Sequence, residues 1–504
     1  MTLLPTGAHP VPVDVSLVPE LSGLFAPTTA ERDIGPLEVV GELPPELDGT
    51  YLRNGPNPRF TPIGSYTYPL DGDGMIHAVR IDDGRVSYSN RFVETPALRA
   101  EERAGHALWS GLMTMYRPDA TEVGAGLAGT RKDLPDINVV RHAGRTLALA
   151  EAAPPFALSP ELATLGRETF GGALPAGITA HPKIDPRTGE LLVFCYGIEA
   201  PFLTWSVVGP DGTIRRTPTV VDGVERPTMI HDMAITDRFV VLVVAPYYFD
   251  IAAAMSGGSL LTWRPEDGTR IALVPRDGSP TRWLATDAFW CWHLANAFDD
   301  GPAPGGAAGA GPGPGGAAGA GPRPDGAAGA GPGPDGAVVV DYVQWDRPGT
   351  DDPADEQHAM LVRARLDLGR GTVVRTPAHD RRVEFPRIDD RVLGRRHDRV
   401  ATIATRPDDP QLADTLVVTD LAGGHDAHWR APELALGEPV HLPRPGDPDP
   451  GHGWWATLAV DRREDVSWFL VLPADDPAAG PVARVRIPVR VPLGLHGVWL
   501  PSNR

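Results

Sequence analysis

The sequence predicts one large all-β domain, a propeller or a barrel, and three observations carry that prediction. From Tyr51 onward, short β-branched runs alternate with Asp-Gly, Asn-Gly and Pro-rich punctuation, which is the text of strand and turn repeated many times. The runs are spread evenly along the whole length, which favours a single sheet-rich domain over an alternating α/β chain. With 504 residues, 42% of them hydrophobic, the chain has ample material for a large core, although length alone leaves the number of domains open. No repeat of fixed period marks a short-repeat propeller, so spacing does not decide between propeller and barrel.

Taken in order, strands are expected at 85–93, 146–149, 191–196, 239–245, 338–344, 360–366, 415–419, 455–460, 468–472 and 482–487. Two stretches break the pattern. Thr95-Pro96 reads as a helix cap followed by Pro at the first helical position, with Leu98, Gly105, Leu108, Trp109 and Leu112 at helical spacing after it. Residues 250–255 form a shorter helical candidate. Helices this sparse are expected to cap the sheet structure.

Residues 301–336 are of another kind: three copies of a ten-residue Gly/Pro/Ala unit and a partial fourth. Such a segment buries too little surface to offset its chain entropy, and it lacks the strict Gly at every third position that collagen needs. It is read as a disordered insertion between two strands, which a fold tolerates because loop closure costs only about 0.6 kcal/mol per doubling of length. The expected organisation is an extension over residues 1–42 and one domain over 43–504, interrupted by this insertion.

The formal net charge of −19 argues against nucleic acid as a partner, since phosphate binding needs a basic face. The amino terminus lacks a basic region followed by an apolar one, and no apolar run is long enough to cross a bilayer, so a cytoplasmic location is expected. Nothing in the sequence calls for an obligate protein partner. Cys195 and Cys291 are the only cysteines, which removes a disulfide framework and a Cys-based zinc site. A bound metal must then be held by histidines and carboxylates.

Of the 15 histidines, His9, His106, His142, His358, His379, His397, His425, His428, His441 and His452 lie in polar or Arg/Asp-rich text and are expected to be solvated. His77 follows an Asp-Gly-Asp-Gly that resembles the start of a calcium loop without its later ligands, and a tight turn is the better reading. Four remain in compact apolar or Gly/Pro-bounded settings: His181, His231, His293 and His496. His293 stands in Phe289-Trp-Cys-Trp-His-Leu-Ala-Asn-Ala-Phe, and an imidazole among aromatics is either a satisfied core residue or a metal ligand. The four are distant in sequence and adjoin different strands. One ligand per sheet converging on a common axis is what a propeller provides.

Several ordered phrases resemble those of the carotenoid cleavage oxygenases: Tyr51-Leu-Arg-Asn-Gly-Pro-Asn-Pro, Asp71-Gly-Asp-Gly-Met-Ile-His-Ala-Val, Ala180-His-Pro-Lys-Ile-Asp-Pro, Ile230-His-Asp, His293-Leu-Ala-Asn-Ala-Phe, Glu384-Phe-Pro-Arg-Ile and Val491-Pro-Leu-Gly-Leu-His-Gly. They run in order from about residue 43 to 500 and omit only the 301–336 insertion. The resemblance implies a seven-bladed β-propeller with a small helical cap over an axial site. It also implies one Fe(II) per chain on His181, His231, His293 and His496, with O2 as co-substrate. Neutral imidazoles suit Fe(II), and four of them leave open positions. Three glutamates stand behind three histidines in this family, and the matching positions are Glu151, Glu384 and Glu438. A carboxylate accepting the distal imidazole N–H orients the ring and raises its basicity.

The implied reaction inserts both atoms of dioxygen across a carbon–carbon double bond of an apolar polyene, giving two carbonyl products. No acid–base residue is required. Relatives that cleave hydroxylated stilbenes commonly carry Lys just before the first of the three glutamates, where this chain has Ala150; that favours a carotenoid or apocarotenoid over a stilbene. A propeller without chemistry, acting as a binding scaffold, is a further alternative, opposed by the complete His and Glu sets. Phe289, Trp290, Trp292 and Tyr247 are candidates to line a tunnel, with core packing the commoner fate of an aromatic. Residues 247–263 resemble the apolar patch by which relatives touch membrane, which predicts peripheral contact.

Overall fold

Two kinds of strand text turn out to have two locations. Phe239–Val244 is buried at every position, because it lies second in its sheet with neighbouring sheets on both faces. Arg85–Phe92 alternates buried with more open positions, because it lies toward the rim. The computed structural model describes residues 9–502 except 115, 257, 302–335, 350–358 and 407–408. Its strands make a seven-bladed β-propeller.

The blades follow the chain. Asn138–His142, Lys183–Ile184, Met233–Ile235, Leu294–Asp300 and Val383–Arg387 are the inner strands of blades 2 to 6, each followed outward by three more antiparallel strands. Blade 7 begins with Leu434–Leu436 and Val440–Pro443, which share one neighbour, Gly453–Asp461. Blade 1 is composite: its inner strand, Gly497–Pro501, comes from the carboxyl end and pairs with Gly49–Arg53, Tyr51 facing Trp499. That pairing closes the ring. The residues expected to form an extension contribute edge strands, Arg32–Ile34 on blade 1 and Glu38–Gly41 on blade 7. The seam between these two blades is packed by Tyr51, Val79, Tyr88, Trp454, Phe469 and Val485, each worth about 1.5–3 kcal/mol when buried.

All ten expected strands are present, and none is an inner strand. The helix at Thr95-Pro96 forms as Pro96–Ala104, with the Thr95 hydroxyl accepting from the Leu98 N–H. It stops short of the expected Leu112, because Gly105 takes the left-handed conformation at φ 77° and ends it. The second helix is Ile251–Met255, capped by Asp250. Asp300 pairs with Ala337 at the end of the blade 5 hairpin; the expected disordered insertion joining them, and His358, lie outside the described residues. No helix among the described residues is long and apolar enough to cross a membrane.

Three histidines expected to be solvated are buried: His142, His397 and His441. His142 Nε2 reaches the Gly189 carbonyl at 3.0 Å, His397 Nε2 reaches Asp341 at 3.0 Å, and His441 packs edge-on to Trp455. Beside His142 and His397 the polar neighbours Arg141, Arg396 and Asp398 are exposed while the ring is buried, and His441 lies between the buried Val440 and Leu442. His77 is also buried, with Nδ1 2.8 Å from the Tyr88 hydroxyl, and burial pushes its pKa well down.

Candidate metal centre

The inner strands enter the ring from one face, so residues just before them gather at one end of the axis. His181, His231, His293 and His496 precede the inner strands of blades 3, 4, 5 and 1 by no more than two residues. Glu151 follows the second strand of blade 2, Glu384 lies in the inner strand of blade 6, and Glu438 sits between the two short strands of blade 7. Every blade therefore supplies one of the seven residues singled out in the sequence.

One nitrogen from each of the four histidines lies within 4.8 Å of the other three. The His181 and His231 Nε2 atoms are 3.0 Å apart. A single ion about 2.1 Å from each nitrogen needs only a small contraction of that cluster. His293 Nε2 is buried without a hydrogen-bond partner, and buried polar nitrogens are seldom left so unless something else claims the lone pair. The donor set therefore fits a divalent transition metal.

The outward nitrogens settle which glutamate serves which histidine. Glu151 lies against His231 Nδ1, Glu384 accepts from His293 Nδ1 at 2.6 Å, and Glu438 accepts from His496 Nδ1 at 2.8 Å. Each carboxylate has a different further partner: the Tyr196 hydroxyl for Glu151, the Trp345 indole N–H for Glu384, and Arg387 at 3.0 Å for Glu438. Burial pushes the His181 and His496 pKa down, that of His496 to about 4 against the pull of Glu438, so both rings are neutral at pH 7. For His293 burial acts in the same direction, but Glu384 outweighs it and raises the pKa. Burial disfavours the charged Glu438, yet Arg387 and His496 prevail and hold it at about 2.

The surroundings are apolar on one side and charged on the other. Trp292 stands edge-on to His231 with centroids 4.9 Å apart, and behind it Trp290 and Tyr247 continue the stack. Phe385 lies face to face with His293 at 5.3 Å. Its φ of 54° is uncommon for a side-chain-bearing residue and is held by the short bond from its N–H to Glu384. Tyr68 and Leu70 pack with Ala180, Leu495 and Phe385 beside the histidines. Along the axis a cavity of about 400 Å3 reaches His181, His293 and His496, and its wall carries Lys183, Asp232, Arg387 and Glu438.

Of the aromatics considered as tunnel lining, Phe289 is core, stacked on Tyr342. Trp290 and Tyr247 are buried in the cluster behind Trp292. Sequence reasoning missed Tyr196, Trp345, Phe385, Arg387 and Tyr68 as neighbours of the centre. Arg387 and Phe385 stood inside the quoted Glu384-Phe-Pro-Arg-Ile phrase, which was the available signal; the others had none. In residues 247–263, Leu260 is turned inward, and the outward apolar side chains are Ile251 and Met255.

A sequence profile of the family described as Retinal pigment epithelial membrane protein matches residues 25–501. The isoeugenol monooxygenase of Pseudomonas nitroreducens is 29% identical, over 96% of this chain and 98% of that protein. The carotenoid cleavage oxygenase of Mycobacterium tuberculosis is 30% identical with the same coverage. Among solved structures, the lignostilbene dioxygenase of Pseudomonas brassicacearum superposes with a TM-score of 0.82 at 30% identity, covering 98% of this chain and all of that one.

Proposed function

Since the chain belongs to the retinal pigment epithelial membrane protein and carotenoid oxygenase family, we propose that it is a non-haem Fe(II)-dependent dioxygenase. Its reaction is cleavage of one carbon–carbon double bond of a carotenoid or apocarotenoid into two carbonyl products. The observation that carries this reading is the set of four converging imidazoles, three of them backed by carboxylates, beside an aromatic wall. Bound iron supplies the activation of dioxygen. The protein's own part is placement. Glu151, Glu384 and Glu438 fix the tautomer and direction of their imidazoles, and Trp292, Phe385, Tyr68 and Leu70 exclude water and offer flat apolar surface against which a polyene can be aligned.

The choice of substrate rests on what the site lacks as well as what it has. Lys132 and Lys183 are the only lysines of the chain, and both are engaged, Lys132 with Asp73 and Glu101, Lys183 with Asp232. With Ala150 before Glu151, no lysine is free to hold a phenolate, which supports the polyene. Relatives named for lignostilbene and isoeugenol favour a stilbene-type alkene as the second reading. Iron-loaded protein incubated with carotenoids, apocarotenoids and stilbenes under isotope-labelled dioxygen is expected to give two carbonyl fragments from an apocarotenoid, each carrying label. Turnover of stilbenes alone moves the assignment to the second reading. Absence of oxygen-dependent loss of every substrate rejects both.

Peripheral membrane contact is part of the same proposal. The stack from His231 through Trp292, Trp290 and Tyr247 leads into the hairpin of Tyr247–Phe249 and Leu261–Trp263. That hairpin carries the helix with Ile251 and Met255 exposed. At roughly 1 kcal/mol for each partly exposed side chain, replacing both with Asp is expected to weaken liposome association by about thirtyfold in a flotation assay. Parent protein that fails to float, or a variant that floats equally, removes the membrane from the proposal.

A further inference from the structure

We propose that Asp232 is a positioning residue that sets the spacing of three of the four histidines, because its single carboxylate joins the chain segments that carry them. The inference rests on the metal-centre reading and adds to it the part that holds the ligands apart from one another. Asp232 directly follows His231 and is 3% exposed. Its Oδ1 accepts from the Lys183 ammonium at 2.8 Å and from the Met233 N–H at 2.6 Å, and its Oδ2 accepts from the Leu294 N–H at 2.7 Å. Lys183 is two residues past His181, and Leu294 is the residue after His293. One carboxylate thus bridges blades 3, 4 and 5 at points one or two residues from a ligand on each.

The geometry gives this bridge a task that the three glutamates do not perform. Glu151, Glu384 and Glu438 each act on the ring of one histidine, from the outer nitrogen. Asp232 touches no histidine ring; it acts on backbone and on Lys183, so it governs where the ligand-bearing strands stand relative to one another. His181 is the histidine without a carboxylate on its ring, and the Lys183 to Asp232 contact is the charged link that fixes its strand to the next. On the far side of the axis a similar link joins blades 6, 7 and 1, where Arg387 meets both Glu438 and the Gly497 carbonyl, and the Gly497 N–H meets Glu438. A site of this kind must hold its ligands to about 0.5 Å, and propeller blades that contact mainly by side-chain packing need such fixed points near the axis.

The test uses Asp232→Asn, which keeps shape and an oxygen acceptor while removing the charge that Lys183 needs, and Lys183→Gln, which loosens the same link from its other end. Full-length protein is freed of metal and titrated with Co(II) alone, folding being checked by circular dichroism. Both variants are expected to fold, to bind Co(II) roughly 10–100-fold more weakly than the parent, and to show displaced visible bands for the bound ion, a change that general loss of stability does not produce. A folded Asp232→Asn or Lys183→Gln protein with affinity within about twofold of the parent and unaltered bands overturns the proposal. If neither variant folds, the pair is a folding determinant and the positioning role is rejected. Parent protein that binds no Co(II) overturns the metal-centre reading itself.

Discussion

His293→Ala is expected to remove metal and activity together while leaving a folded propeller. The imidazole is one of four donors, and loss of a donor must exceed the roughly 10–100-fold cost of losing only its outer partner; binding more than about 100-fold weaker is the result anticipated. The fold should survive because Glu384, left without its histidine, keeps the Trp345 indole N–H at 2.7 Å and the Phe385 N–H at 2.6 Å. Its carboxylate is not orphaned, so a stability loss of about 1–2 kcal/mol is expected, as for an ordinary buried truncation. Metal content by elemental analysis, turnover on the substrate found in the panel, and thermal melting separate the two effects. A variant with full iron and full activity removes His293 from the centre.

Glu438→Gln should act on stability and metal affinity at once. Glu438 is 2% exposed and is the meeting point of Arg387, His496 and the Gly497 N–H. Neutralising it leaves the Arg387 guanidinium, 19% exposed and with Asp390 at 3.5 Å, beside an amide, so the loss should fall below the about 3–5 kcal/mol of breaking a fully buried pair from one side. The single amide oxygen cannot serve His496 Nδ1 on one side and Arg387 with the Gly497 N–H on the other, so the His496 ring is held less firmly, for a further expected loss of up to roughly 10–100-fold in metal affinity. The pH dependence has a definite sign. Because Arg387 and His496 overcome burial and hold the Glu438 pKa at about 2, below the ordinary carboxylate value, its stabilisation is fully present above about pH 4.5 and is lost as pH falls through about 2. The stability gap between parent and variant should therefore be widest above pH 5 and narrow toward pH 2. A gap independent of pH would show that the charge of Glu438 contributes nothing.

How much of this was readable before the fold was known depended on position within a blade. Second and third strands such as Leu191–Tyr196 and Gly453–Asp461 are packed between neighbouring blades and carry continuous β-branched and aromatic text, so they were legible. Inner strands such as Lys183–Ile184 and Met233–Ile235 are only two or three residues long, so periodicity passed over them although His181 and His231 stand two residues before them. Local text also misplaced His142, His397 and His441, whose burial is decided by partners such as Gly189 and Asp341 that lie far along the chain. The exposed apolar side chains of residues 247–263 proved to be Ile251 and Met255, at the two ends of the short helix between the hairpin strands, while Leu260 is buried.

The sequence by itself determined the all-β class and, through ordered phrases, the family and the seven residues that meet at the axis. These are properties of local text: strand and turn composition, and motifs in order. The tertiary structure alone decided that Glu151 stands behind His231, Glu384 behind His293 and Glu438 behind His496, and that Tyr196, Trp345 and Arg387 hold those carboxylates. It also placed Asp232 among three ligand-bearing strands. Each of these is a contact between different blades, set by how a closed ring of twisted sheets brings distant segments to one axis, and no spacing along the chain encodes a distance across it.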